Sequence, residues 1–401
     1  SYFIALDHMP LTPNGKIDRK ALPAPDMTRS DEGYVAPRTA TEIAMAEIWA
    51  DILKRDKVGI HDDFFALGGH SLLAVQLVSR LRHDCAITMA VRDLFVHPTL
   101  GALAAQIDNG KGENRHPNLV PIRAAGNRKP LFLIHPIGGE VQYAYDLVRH
   151  LDAELPVYGL AASGLSSGEV PQSSIKAMAS TYLQAIREVQ PTGPYSIAGW
   201  SLGGMISYEI AHQLSAAGQV VDFVGMIDTG NSQLLRVQLQ IDQIGELDES
   251  RALLNWIVDQ HPDIEASRHA AYGELIALAY GKNINAMVAL CKREKIISDH
   301  IEMDAVKRIL ALYRAAARAA VNYQAPIMAS ATTTVSLFAA DRPAEEDETL
   351  GWGSLLGERL QVMKIGGTHM TIVRPPHIAK LGAAISRTLS YCTSFGNGND
   401  K

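Results

Sequence analysis

The stretch Tyr195-Ser-Ile-Ala-Gly-Trp-Ser201-Leu-Gly203 joins a short apolar run to a turn rich in small residues. Residues 195–199 follow a Gly-Pro pair and are almost entirely apolar, which is typical of a buried strand. Residues 203–217 carry apolar side chains at helical spacing. The pattern therefore places Ser201 on a sharp turn between a strand and a helix. Glycines on both sides of the serine permit such a turn and leave its hydroxyl exposed above the sheet.

Strands and helices alternate on both sides of this turn. A long helix is predicted at 175–190, and a parallel sheet covered by helices on both faces follows from the alternation. Between residues 231 and 331 the alternation stops and helical spacing continues alone, so we expect a helical lid inserted into the domain. The predicted strands lie at 130–134, 156–160, 195–199, 220–227, 333–339 and 360–365.

A serine on such a turn needs a base and an acid to become a nucleophile. His369 lies directly after the last predicted strand, and the chain order of serine first and histidine last is that of the α/β-hydrolase fold. Two aspartates compete for the role of the acid. Asp228 follows the strand at 220–227 and Asp341 follows the next strand, and both lie where catalytic groups gather in open sheets. Sequence spacing alone does not decide which of the two aspartates is the acid.

An acyl-transfer site also needs two backbone N–H groups that stabilise an oxyanion. We expect one from Leu202, after the serine, and one from Ile137, in the turn His135-Pro-Ile-Gly-Gly139 that follows the first predicted strand. Other histidines of the large domain are interpreted as ordinary polar or capping residues, among them His135, His212, His261, His269, His300 and His377.

The segment 37–108 is predicted to be a small bundle of four helices. Helical spacing occurs at 39–53, 71–81, 89–95 and 99–107. Ser71 begins the second helix, after the run Asp62-Asp-Phe-Phe-Ala-Leu-Gly-Gly-His70. The chemistry of the residue alone favours a helix N-cap, since no base, acid or set of metal ligands surrounds it.

Composition argues against several classes of protein. The 401 residues are 47% hydrophobic and carry a net charge of -6, which argues against nucleic acid as the main partner. No apolar run approaches the ~20 residues of a membrane span. The cysteines Cys85, Cys291 and Cys392 are too few and too far apart for a disulfide framework or a zinc site, so we expect a metal-free protein of the cytoplasm.

Stretches rich in Pro, Gly and polar residues divide the chain, and Ser1 in place of an initiator methionine indicates a piece of a longer polypeptide. No signal peptide is visible. The predicted units are an N-terminal remnant at 1–26, a linker at 27–36, the small domain at 37–108, a linker at 109–127, the large domain at 128–395 with the lid at about 231–331, and a tail at 396–401.

Three motifs resemble parts of nonribosomal peptide synthetases. The run from Asp62 to Leu72 looks like the signature of peptidyl carrier domains, which implies 4′-phosphopantetheine on Ser71. The stretch Pro10-Leu-Thr-Pro-Asn-Gly-Lys16-Ile-Asp-Arg19 resembles the last core motif of adenylation domains, whose matching lysine contacts the adenylate. The large domain is similar to the terminal type I thioesterase, a family that takes its acid from the strand after the nucleophile, and this favours Asp228.

The resemblance implies a function in product release. A peptidyl thioester on the carrier would pass to Ser201, with His369 as base, and leave by hydrolysis, by macrocyclisation or by transfer. The expected partners are the upstream adenylation and condensation domains, a phosphopantetheinyl transferase and the peptidyl substrate. A carrier-linked acyltransferase or editing hydrolase is the alternative, and a docking module without catalysis is a weaker one. Because most of the adenylation domain is missing, we expect no activation of amino acids. A reductive release domain is disfavoured, since no G-x-G-x-x-G follows a strand.

Overall fold

The computed structural model describes residues 34–69, 71–85, 87, 89, 91–109, 116–165, 169–238, 247–261, 264, 268–297, 301, 303–328 and 333–396. The predicted adenylation-domain remnant at 1–26, with Lys16, lies outside the described residues. The side chain of Ser71 is not described, although the backbone at this position is.

In the described part of residues 40–109 there are four helices, and each begins within two residues of its predicted start. Thr39 caps the first helix through a capping box, in which its hydroxyl accepts from the Glu42 amide at 3.1 Å and the Glu42 carboxylate accepts from the Thr39 amide. Trp49 and Phe64 are fully buried among these helices. The helices are α1 (Ala40–Leu53), α2 (Ser71–Cys85), α3 (Val91–Val96) and α4 (Leu100–Asn109).

A seven-stranded sheet forms the centre of the second part of the chain. The spatial order is β1-β3-β2-β4-β5-β6-β7, and every pairing except that of β1 with β3 is parallel. The central strands are mostly apolar because helices cover both faces of the sheet. The strands are β1 (Leu119–Arg123), β2 (Leu131–Ile134), β3 (Val157–Leu160), β4 (Tyr195–Trp200), β5 (Val221–Ile227), β6 (Val335–Ala339) and β7 (Leu360–Lys364).

The strand β1 corrects the prediction of a linker at 109–127. That prediction is wrong for residues 119–123, which pair antiparallel with β3, and for residue 109, which ends α4. The strand was hidden because it is short and contains Pro121, a residue that sheets tolerate at an edge. Just before it, the buried Asn118 donates its side-chain amide to the Ala161 carbonyl at 2.8 Å.

Ten α-helices complete the described part of this domain. On one face α6 and α7 pack together, and on the other α14 packs against β5. The segment 231–331 contributes α8 to α12, and α9 to α12 share a hydrophobic core of their own. No described helix is long and apolar enough to cross a membrane. The helices are α5 (Gln142–Leu147), α6 (Ile175–Val189), α7 (Leu202–Ala216), α8 (Ser232–Gln238), α9 (Glu249–Gln260), α10 (His269–Tyr280), α11 (Ile284–Arg293), α12 (Met303–Val321), α13 (Gly353–Leu356) and α14 (His377–Gly396).

A buried carboxylate links helix α7 to the end of the inserted segment. Glu209 is 2% exposed, and it accepts hydrogen bonds from the Tyr323 hydroxyl at 2.8 Å and from the Gln213 side-chain amide at 3.0 Å. A carboxylate is tolerated inside a protein only when donors replace the water that it loses. This contact therefore fixes the helix that begins behind Ser201.

We expect Tyr323→Phe to lower the free energy of unfolding by about 2 kcal/mol, because it leaves the Glu209 carboxylate short of a donor. The midpoint of urea unfolding, followed by circular dichroism, measures the effect. Tyr280→Phe is the matched control, since this tyrosine is 67% exposed. Equal midpoints for the two variants would contradict the assignment.

Candidate active site

Ser201 lies on a strained turn between β4 and α7. Its backbone has φ 56° and ψ -122°, in the left-handed region that a serine rarely adopts. A Cβ on Gly199 would lie 2.2 Å from the backbone of Gly203, and a Cβ on Gly203 would lie 2.4 Å from the Ile134 carbonyl oxygen. Only glycine therefore fits on either side of the serine. The Ser201 amide donates to the Ile227 carbonyl at 2.9 Å, which ties the turn to the neighbouring strand.

The structure brings Ser201, His369 and Asp228 together in one hydrogen-bonded chain. The His369 Nε2 lies 3.1 Å from the Ser201 Oγ, and the His369 Nδ1 lies 2.8 Å from the Asp228 Oδ2. A carboxylate only accepts hydrogen bonds, so Nδ1 is the nitrogen that carries the proton. In the neutral imidazole Nε2 is then free to accept the serine proton.

Asp228 is fully buried and is held by more than the histidine. Arg342 donates to both of its carboxylate oxygens, at 2.8 and 3.0 Å, and the Ala340 amide donates to Oδ1 at 2.9 Å. Burial alone would raise the pKa of Asp228, but the hydrogen bonds from His369 and Arg342 lower it well below its ordinary value. The carboxylate therefore stays ionised and orients the imidazole.

The competing aspartate has a different contact. The Asp341 carboxylate accepts from the Gly367 amide at 2.8 Å, and its own amide donates to the Gly367 carbonyl at 2.8 Å. It thus fixes the loop that carries His369. Trp200 adds a second constraint on this loop, since its indole N–H donates to the His369 carbonyl at 3.2 Å. This geometry favours Asp228 as the acid and gives Asp341 a supporting position.

Two amides predicted to hold an oxyanion lie beside Ser201. Leu202 is the first residue of α7, so its N–H has no carbonyl partner within the helix. Ile137 lies in a turn that the Gly139 amide closes on the Pro136 carbonyl at 3.0 Å. Among the described residues nothing accepts a hydrogen bond from the Ile137 N–H. Both residues line the same cavity as the serine.

His135 supports this turn from below. It is buried, its Nδ1 donates to the Pro136 carbonyl at 2.7 Å, and its Nε2 lies 2.6 Å from the Tyr182 hydroxyl. Burial lowers the pKa of His135 to about 4, so the ring stays neutral at physiological pH. The interpretation of His135 as an ordinary polar residue fits these contacts.

A cavity of about 690 Å³ connects Ser201 with the first part of the chain. At one end it is lined by Phe65 and Gly69, and Gly69 stands two residues before Ser71 at the start of α2. The ring of Phe65 stacks on that of Tyr145 with centroids 5.2 Å apart, which joins the two parts of the protein beside the cavity. The helices of segment 231–331 supply Asn255, Trp256, Asp259 and Tyr313 to the wall.

Comparisons with known proteins agree with this arrangement. A thioesterase domain family model matches residues 129–385, and a phosphopantetheine attachment site model matches residues 44–107. A dimodular nonribosomal peptide synthase of Bacillus subtilis is 40% identical over 236 residues, which are 59% of this chain and 10% of that protein. Chondramide synthase of Chondromyces crocatus is 29% identical over 415 residues, which are 97% of this chain and 10% of that protein.

A solved structure matches both parts of the chain together. The crystal structure of a holo four-domain nonribosomal peptide synthetase bound to AMP and glycine has a TM-score of 0.59 and 30% identity. The match covers 95% of this chain and 28% of that one. The chain thus spans about a tenth of each of these two curated relatives and about a quarter of this solved structure. The resemblances to a carrier domain and to a thioesterase are confirmed, and over more than half of its length the chain belongs to the thioesterase domain family.

Proposed function

We propose that this chain releases the product of nonribosomal peptide synthesis, by moving a peptidyl group from a carrier thioester to Ser201 and then off the enzyme. One observation carries the proposal. A single cavity extends from Gly69, beside the start of α2, to the hydrogen-bonded pair of Ser201 and His369. The matched families and the names of the relatives agree with this function.

Helices α1 to α4 are the carrier in this proposal, and Ser71 is its attachment residue. The position fits 4′-phosphopantetheine, because a group attached at the start of α2 begins beside the cavity wall at Gly69. When attached, the group supplies the thiol that holds the peptidyl chain as a thioester. The proposal includes a phosphopantetheinyl transferase, upstream adenylation and condensation domains as partners, and a cytoplasmic location.

In the first step the Ser201 Oγ attacks the acyl carbon and His369 Nε2 takes its proton. The N–H groups of Ile137 and Leu202 stabilise the oxyanion, each by on the order of 3 kcal/mol. His369 would then give its proton to the leaving sulfur atom, and Ser201 would keep the acyl group as an ester on its Oγ. Asp228 stabilises the imidazolium that exists in between.

In the second step a nucleophile gives its proton to His369 and attacks the ester. Water yields a linear acid, an internal hydroxyl or amine yields a ring, and the Ser201 Oγ regains its proton. We propose that segment 231–331 is a helical lid over this step, because Trp256 and Tyr313 enclose the cavity from that side. Enclosure of this kind excludes water and favours an internal nucleophile.

The two aspartates make a matched pair of variants. We expect Asp228→Asn to lower kcat on a soluble thioester by about 10⁴-fold, because the wrong tautomer of His369 is then favoured. Asp341→Asn retains that tautomer, and its loss should stay below about 100-fold. Spectrophotometric release of thiol measures both rates. A larger loss for Asp341→Asn would reverse the assignment of the acid.

The oxyanion donor is tested at Ile137. We expect Ile137→Pro, which removes the N–H, to lower kcat by about 10²–10³-fold. Ile137→Ala keeps the N–H and is the control, so its turnover should remain within a few-fold of the unmodified protein. Thermal unfolding monitors whether the proline variant is folded. Near-normal turnover by a folded proline variant would remove this donor from the site.

The contact between the two parts is tested at Tyr145. We expect Tyr145→Ala to slow acyl transfer from the loaded carrier about tenfold more than it slows turnover of a free thioester mimic, since it removes the stack with Phe65. Rapid-quench kinetics with intact-protein mass spectrometry follows the first reaction. Equal effects on the two reactions would show that this stack has no part in delivery.

A further inference from the structure

Two carboxyl groups in the wall of the cavity have no part in the mechanism above. Glu140 lies just before α5, beside the turn that carries Ile137, and Asp259 lies near the end of α9. Both line the cavity that contains Ser201 and His369. The two side chains are surrounded by protein and are partly accessible from the cavity. Both carboxyl groups therefore border the space beside the serine.

These groups have too few hydrogen-bond donors. Asp259 accepts from the Tyr313 hydroxyl at 3.0 Å. Within the described ranges, the Glu140 carboxylate accepts no hydrogen bond from another residue. A third acceptor in the same wall, the buried Oε1 of Gln142, also has no partner among the described residues. Carboxyl groups that receive few hydrogen bonds from the protein and border a cavity favour a ligand that supplies the missing donors.

The charges around the cavity agree with a cationic ligand. Burial raises the pKa of Glu140 to about 7, and the negative charge of Asp259 adds to the effect. Burial also raises the pKa of Asp259 to about 6, although the Tyr313 hydrogen bond and the positive charge of Arg374 oppose it. Hydrogen bonds and positive charges of the protein thus offset only part of the cost of burying the ionised carboxylates. A cation in the cavity would stabilise their ionised forms.

Resting on the proposed acyl transfer to Ser201, we propose that Glu140 and Asp259 recognise an ammonium group, so that the substrates are peptidyl thioesters with a free primary amine. An ammonium carries three N–H donors, and the carboxylate oxygens of Glu140 and Asp259 are acceptors for such donors. A metal ion fits less well, because no group of three His, Cys, Asp or Glu side chains in the described part of the chain is arranged to bind one. The amine belongs either to the peptide N-terminus or to a basic side chain.

Three soluble thioesters of equal length test the proposal on the intact chain. One has a free N-terminal amine, one is N-acetylated with an aminopropyl side chain, and one is N-acetylated with a neutral propyl side chain. We expect kcat/KM for one of the amino substrates to exceed that of the neutral substrate by about tenfold or more. The substrate that is preferred identifies the source of the amine.

Isosteric variants assign the preference to residues. In Glu140→Gln and Asp259→Asn the ratio of kcat/KM between the amino and the neutral substrate should fall towards one. Asp146→Asn is the matched control, since Asp146 lines the same cavity but is exposed to solvent, and it should keep the original ratio. Circular dichroism establishes that each variant is folded.

The outcomes separate this inference from the function on which it rests. If a fluorophosphonate labels Ser201 and all three substrates turn over equally, ammonium recognition is wrong and acyl transfer stands. A preference that both variants retain would also overturn the proposal. If Ser201 is neither labelled nor active on any thioester, the proposed function and the ammonium site fail together. The comparison of substrates needs no variant, so misfolding of a variant leaves it decisive.

Discussion

Helix α7 begins so close to strands β2 and β4 that no side chain fits at Gly199 or Gly203, and the rest of the site depends on this packing. The chain can leave the sheet and enter the helix only through a turn with positive φ at Ser201. That turn lifts the hydroxyl into the cavity and leaves the Leu202 amide without an intrahelical partner. The proposed nucleophile and one proposed oxyanion donor thus arise from one steric constraint.

The pKa values of two buried carboxyl groups in this protein shift in opposite directions, because the hydrogen-bond donors around them differ. Asp228 receives four hydrogen bonds, two of them from one guanidinium, and remains ionised although it is buried. Glu140 is also enclosed, but no other residue in the described part of the chain donates a hydrogen bond to its carboxylate, and burial raises its pKa to about 7. The Asp228 carboxylate is therefore held as an acceptor for the His369 imidazole. The Glu140 carboxyl group lacks such partners, and in the proposed ammonium site it binds the ligand.

Much of the large domain could be predicted from the sequence because buried parallel strands leave uninterrupted apolar runs. The strand β1 was not predicted, because an edge strand tolerates Pro121 and does not need an uninterrupted apolar run. Sequence spacing could not choose between Asp228 and Asp341, since both follow strands and the difference lies in the direction of two loops. Sequence analysis did not predict the contact of Arg342 with Asp228. The one sequence feature that points to Arg342 is its position next to Asp341, the other candidate acid.

The cavity wall was beyond sequence analysis for a different reason. Glu140 and Asp259 come from elements far apart in the chain, and only the packing of α9 over the sheet brings them to one space. Ser71 was assigned through resemblance, because a lone serine at a helix start is usually a cap. Local sequence patterns thus predict helices, strands and the turn that carries Ser201. Long-range packing decides which polar groups line the same cavity, and these patterns do not reveal it.

The antiparallel edge strand also limits how far the first part can travel from the second. Helix α4 ends at Asn109, and the amide of His116 already bonds to the Glu188 carboxylate at 2.9 Å, just ahead of β1. The intervening six residues have a contour length of at most about 25 Å. A longer excursion towards a distant catalytic centre must therefore carry the whole sheet domain along. Under the proposed function, the carrier helices and the sheet domain therefore reach any upstream catalytic centre together, and that centre has to accommodate both.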